Sequence, residues 1–248
     1  MEAEEKETVE QETEGSVPVK AYSVIADDME LLKKYQDYNA DVVGIIRIPG
    51  TVLNHPVMQT RSDEEYYLMR GLDKQYNPHG VPFLSARSEM EGKGGNRIIY
   101  GHNIHKKTRD IFCDLAGYED LAFYQEHPII ETVSESGTRQ WLIFAYYLVD
   151  NADDEPFKYS DTVDFLSMAA YTAYMDEVGE RNWLCVPYEH SIDDTYLTLS
   201  SCSNELAGSG TNRMVVMAVQ IPYGLDISAQ VADTVMAEEP RLPDKLSK

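Results

Sequence analysis

The chain has 248 residues, 43% of them hydrophobic, which is enough for a sizeable buried core and excludes intrinsic disorder for most of its length. Lysine and arginine number 21 against 43 aspartates and glutamates, and the formal charge of -22 excludes tracking of nucleic-acid phosphates or anionic lipid as the main task, favouring a cationic or peptide-like partner. Cys113, Cys185 and Cys202 are too few and too scattered for a disulfide framework or a structural zinc site, and neither an apolar run of about 18 residues nor an export signal is present.

Residues 1–16 hold seven glutamates and one lysine among almost nothing apolar, which predicts a disordered acidic tail or spacer. No internal repeat or low-complexity linker interrupts residues 17–225, so they read as a single domain. Its first element is a helix: Met29, Leu32, Tyr35 and Tyr38 recur at spacing three behind Asp27 and Asp28. Short β-rich runs broken by turn residues follow at 42–48, 51–58, 81–85 and 97–100, the last leading into Gly101-His102-Asn103. The stripe Ile111, Leu115, Tyr118, Leu121 and Tyr124 predicts a second helix over 111–124.

Strands resume at 129–133 and, after Ser136-Gly137, at 139–149, a run apolar enough to be central. Phe165, Ala169, Ala170, Tyr174 and Val178 predict a third helix over 162–178, stopping at Gly179. The final strands are 195–201 and 213–221, and residues 226–248 read as a loosely held C-terminal extension with a short helix near 231–236. About eight short strands with helices outside them predict a mainly β fold, a β-barrel carrying helical insertions. The absence of alternating βαβ spacing disfavours a doubly wound sheet.

Cys202 ends the strand Thr198-Leu199-Ser200-Ser201-Cys202 and opens into a glycine-containing loop, a common setting for a nucleophile. Potential partners also lie at strand ends, His102 after Ile98-Ile99-Tyr100 and Arg213 at the start of the last strand. A thiol with a reference pKa of about 8.5 needs a base or a cationic neighbour to react at neutral pH. An imidazole supplies that and later protonates a leaving amine, while arginine donates two hydrogen bonds to a carbonyl or an oxyanion. Cysteine, histidine and arginine together make an acyl-transfer set.

Tyr100-Gly101-His102-Asn103, Thr198-Leu199-Ser200-Ser201-Cys202 and Asn212-Arg213-Met214-Val215-Val216 resemble, in this order, the three signatures of the sortases. Asp41-Val42-Val43-Gly44-Ile45-Ile46-Arg47-Ile48-Pro49-Gly50-Thr51, His55-Pro56-Val57-Met58-Gln59 and Tyr66-Tyr67-Leu68 are similar to class B members, and the likeness covers about residues 31–221. The resemblance implies an eight-stranded barrel with an N-terminal helix and a long helix inserted before the cysteine strand. It also implies a cysteine transpeptidase that needs no cofactor or metal. Cys202 would cleave a C-terminal sorting signal through a thioacyl-enzyme, and an amine of a cell-wall precursor or a pilin would resolve it. His102 would be general acid and base, and Arg213 would hold the substrate backbone or oxyanion. Leu68, Ser200 and Ser201 would bind the peptide, with the 162–178 helix forming one wall. The resemblance further implies work at the extracellular face of the membrane, through an N-terminal anchor that this chain does not contain.

Here the last residues before the cysteine are Ser200-Ser201 where the family has a small residue and threonine, which bears on substrate contacts more than on the nucleophile. His105 stands three residues after His102 and is the rival base, or half of a zinc pair with no matching ligands elsewhere. His55, His79, His127 and His190 read as surface or capping residues. Cys113 and Cys185 read as small core hydrophobes, with a bridge between them left open. Gly92-Lys93-Gly94-Gly95 lacks phosphate-loop spacing and reads as a hairpin loop. Two other functions compete: a cysteine peptidase that hydrolyses its thioester, and a non-catalytic barrel that binds peptide or wall polymer.

Overall fold

The computed structural model describes residues 20–104, 109–152, 156–202 and 212–243, so the acidic tail expected at 1–16 lies outside the described residues. The first helix, α1 (Ala26–Tyr38), turns Leu32 and Asp28 inward and ends where Asn39 becomes extended. Strands β1 (Val42–Arg47), β2 (Asn54–Met58), β3 (Phe83–Leu84) and β4 (Asn96–Gly101) follow, and then a two-stranded ribbon of β5 (Asn103–Ile104) and β6 (Asp110–Ile111).

The stripe expected to form one helix over 111–124 instead builds a 3-10 helix, Cys113–Glu119, and then α2 (Leu121–Glu126). Three-residue spacing from Leu115 to Tyr124 is the period of the tighter helix. Asp120 stays extended and caps α2 by accepting the Ala122 N–H at 2.8 Å. Gly117 lets α2 fold back, since a Cβ there would sit 2.7 Å from the Phe123 ring.

The hairpin of β7 (Ile129–Ser134) and β8 (Gly137–Asp150) forms as expected. The third helix, α3 (Met168–Arg181), starts later than the apolar pattern suggested, because Ser167 is its cap and accepts the Ala170 N–H at 3.2 Å. It also runs through Gly179, where a side chain would meet open space. The chain continues through β9 (Leu184–Cys185), β10 (Tyr196–Cys202), β11 (Asn212–Ile221), α4 (Ser228–Asp233) and β12 (Val235–Met236).

Eight strands close into a barrel in the order β1-β2-β3-β4-β10-β11-β8-β7, and β7 pairs with β1 to seal it. The pairs β2–β3 and β4–β10 are parallel, and the other six are antiparallel. Period-two alternation sends Ile46, Ile99, Leu199, Val216 and Trp141 to the interior. The outer face of β8, β10 and β11 is buried too, because α3 lays Tyr171, Tyr174 and Val178 over Tyr147, Tyr196, Val215 and Met217. This two-sided burial explains why β8 reads as a continuous apolar run rather than an alternating one.

The C-terminal segment is docked rather than loosely held. Val231, Met236 and Leu242 pack on the barrel core, β12 pairs with β9, and Arg241 ion-pairs with Glu177 and Glu180 of α3. Cys185, expected in the core, is exposed on β9, whereas Cys113 is buried, and both thiols are free. A two-residue strand with one covered face leaves its alternate residue to solvent. No helix among the described residues is long and apolar enough to cross a membrane.

One polar anchor predicts an acid response. Burial alone would raise the Glu91 pKa, but the hydrogen bonds around it prevail, from the Ser136 N–H at 3.1 Å, the Ser136 hydroxyl at 2.8 Å and Arg139 at 2.6 Å, and hold it at about 2. A carboxyl depressed on folding from 4.5 stabilises fully above that pH, and the contribution is lost as pH falls toward 2. Urea midpoints of Glu91→Gln are expected below the parent's at neutral pH, and the gap should close between those two pH values. A gap independent of pH would show that the charge contributes nothing.

Candidate active site

The site is assembled by register across three strands. In the parallel pair Ser201 of β10 lies opposite Gly101 of β4, and in the antiparallel pair Cys202 lies opposite Arg213 of β11. Cys202 is one residue beyond Ser201 and His102 one beyond Gly101, so His102, a hundred residues before Cys202, meets Cys202 and Arg213 at the same barrel end. Cys202 is described through this backbone register. The rival base His105 lies outside the described residues, as do the residues after the cysteine up to 211.

His102 is half-buried, and its Nε2 lies 2.8 Å from the Leu68 carbonyl oxygen. A carbonyl only accepts, so Nε2 carries a proton and Nδ1 is the ring nitrogen left for other partners. Arg213 is half-buried and donates to the Asn212 carbonyl at 3.1 Å.

Beside these residues lies a cavity of about 210 Å³. Its lining includes Glu64, Glu65 and Leu68, then Tyr100, Ser200 and Arg213 of the barrel strands, and Asn151, Tyr159 and Ser160. Leu68 and Ser200, singled out in the sequence, are both in its lining. Ser201 is not: alternation along β10 turns it into the barrel, where it is 1% exposed and its hydroxyl lacks a partner. The wall expected from the 162–178 helix comes instead from the loop before α3.

That loop is pinned from three directions. Tyr159 Oη and Ser200 Oγ share a buried hydrogen bond of 2.7 Å, Tyr174 Oη donates to the Tyr159 carbonyl at 3.0 Å, and Arg87 donates to the Ser160 carbonyl at 2.6 Å. Sequence reading passed over Tyr159 because one tyrosine among 17 carries no local signal of a partner in another strand. Glu64, also in the lining, has its carboxylate fixed by the Ala86 N–H at 2.9 Å. Burial pushes the Tyr100 phenol well above its usual pKa, so it faces the cavity uncharged. Among the described residues no group of three or more histidine, cysteine or acidic side chains is placed to hold a metal ion.

This combination of closed barrel, converging strand ends and adjacent cavity has known counterparts. The family model described as the sortase domain matches residues 46–221. Sortase B of Staphylococcus aureus is 31% identical over 180 residues, spanning 73% of this chain and 70% of that protein. Sortase B of Listeria monocytogenes is 29% identical over 174 residues, 70% of this chain and 68% of that one. Among solved structures, a Staphylococcus aureus sortase B–substrate complex superposes with a TM-score of 0.68 at 27% identity, covering 79% of this chain and 86% of that chain. The family match covers most of the barrel, and class B relatives arise from sequence and structure alike: the chain belongs to the sortase family, as a cysteine transpeptidase of the sortase B type.

Proposed function

We propose that this enzyme cleaves the C-terminal sorting signal of secreted proteins and transfers the new acyl end to an amine of a cell-wall precursor or a pilin. The observation that carries this reading is the register that brings His102, Cys202 and Arg213 to one barrel end beside a cavity of about 210 Å³. His102 takes the Cys202 thiol proton, and the thiolate attacks the scissile carbonyl carbon, forming a C–S bond as the carbonyl π pair moves to oxygen. The C–N bond breaks as His102 protonates the departing amine. An incoming amine then attacks the thioester and yields its proton to His102, and the C–S bond breaks to restore the thiolate. Arg213 steadies the oxyanion in both steps, or the backbone that carries it. Leu68 and Ser200 line the peptide groove, and Ser201 supports the strand from inside the barrel.

The enzyme works on the outer face of the cell membrane, tethered through an N-terminal segment preceding the acidic stretch, which serves as a spacer. A catalytically inert peptide-binding barrel is set aside by membership of a transpeptidase family. Hydrolysis of the thioester by water remains the competing outcome.

Mass spectrometry after incubation with LPxTG-like and NPxTN-like peptides, with and without triglycine, tests the proposal. The expected result is an acyl adduct on the peptide containing Cys202 that disappears on adding amine as the transfer product accumulates. Cleavage with identical products in the presence and absence of amine would make the enzyme a peptidase, and an adduct on another residue would displace Cys202.

A further inference from the structure

His102 has two supports, one for its ring and one for its backbone. The ring is held by the Leu68 carbonyl at 2.8 Å, and its own carbonyl accepts the Phe112 N–H at 3.0 Å. Both lead to the same carboxylate.

On the backbone side, Ile111 has φ +53 and is 1% exposed. A β-branched residue in the left-handed region is strained and persists only where its surroundings over-determine it. Ile111 and Phe112 press on Gly101, where a Cβ would meet the Phe112 ring at 2.8 Å and Ile111 Cγ2 at 2.9 Å. The strained turn is therefore stacked on the residue immediately before His102. Asp110 secures it, accepting the Ile111 N–H on Oδ1 at 2.9 Å.

On the ring side, Asp110 Oδ2 lies 3.4 Å from His79 Nδ1. The next residue, Gly80, has φ +63 and lies against the Leu68 carbonyl, so close that a Cβ would come within 2.4 Å of its oxygen. A third arm reaches β2, where His55 Nε2 sits 2.9 Å from Asp110 Oδ1, off the axis of a linear hydrogen bond. One carboxylate thus joins the β5–β6 ribbon, the His79-Gly80 turn and the second barrel strand.

We propose that Asp110, bridging His55 and His79, is a positioning residue for His102: it holds the strained Ile111 turn beneath the histidine backbone and the Leu68 carbonyl against the histidine ring. This rests on His102 being the general acid and base. Asp110 touches no substrate, and its effect on the reaction passes through alignment alone.

The test uses the full chain with Asp110→Ala, Asp110→Asn and His79→Gln, and with His102→Ala in parallel. Thermal midpoints, kcat and KM for peptide-to-amine transfer are measured for each. Misplacement of a catalytic group by about 1 Å costs up to about 100-fold, so Asp110→Ala is expected to lower kcat about 10- to 100-fold with KM within about two-fold. Asp110→Asn keeps an acceptor for the Ile111 N–H and is expected to recover most of that loss. Should Asp110→Ala fail to fold, His79→Gln decides, with a fall in kcat at constant KM expected. Parental kcat in a folded Asp110→Ala or in this substitute, an Asn variant as impaired as the Ala one, or a change confined to KM would overturn the inference. If His102→Ala retains transfer, the underlying mechanism fails and this inference with it. If His102→Ala is inactive and Asp110→Ala is not, only the positioning role fails.

Discussion

Cys202→Ala is expected to reduce peptide-to-amine transfer by more than about 10⁴-fold, and His102→Ala to come close to the same floor, because groups that act as one unit are non-additive. The reason is that a thiol of reference pKa about 8.5 is mostly protonated at neutral pH. Without the imidazole the nucleophile is scarce and the leaving amine must depart unprotonated. The register makes the unit: Cys202 follows Ser201, which pairs with Gly101, and Gly101 precedes His102. The double variant should therefore be no slower than Cys202→Ala. Quantifying transfer product by chromatography checks this. A double-variant loss equal to the product of the single losses would mean that the two side chains act independently, and sustained turnover by Cys202→Ala would remove the thioacyl route.

Arg213→Ala is expected to lower kcat by about 100- to 1,000-fold, the usual cost of deleting one preorganised donor to a developing oxyanion. The expectation rests on the pairing of Arg213 with Cys202 and on its position in the cavity lining. Arg213→Lys should recover little, since an ammonium cannot present two parallel N–H groups to one oxygen or to a peptide edge. Alkylation of the protein by a small neutral electrophile separates two roles for the guanidinium. An unchanged alkylation rate in Arg213→Ala assigns the arginine to the oxyanion. A rate that falls in step with transfer would reassign it to stabilising the thiolate.

The candidates for the site were legible because each was marked locally. His102, Cys202 and Arg213 each stand at or next to the end of a strand, a common setting for functional side chains. What was misread was also misread for local reasons. Ser201 sits in the same stretch as Cys202, and only the alternation of β10 about the closed barrel shows that it points inward. The groove wall was assigned by the resemblance to a helix over 162–178, and that helix was drawn to include Phe165 because Phe165 fits a helical stripe. In the structure Phe165 lies before α3 and stacks edge-on against Tyr171, Tyr174 and Tyr196. The C-terminal segment looked loose because its few apolar residues lack sustained periodicity, yet three of them find places on the core.

The sequence by itself determined the class of fold, through period-two and period-three apolar patterns, and named three candidate reacting residues by their types at strand ends. Tertiary structure alone decided the partners. Thr198 pairs in parallel with Ile98, Tyr159 bonds Ser200, and Asp110 draws His55 and His79 to the turn beside His102. The physical reason is that periodicity records which side of an element is buried, whereas pairing depends on which distant segment repays the entropy of loop closure. That repayment comes from shape and hydrogen-bond fit that no short stretch of chain contains.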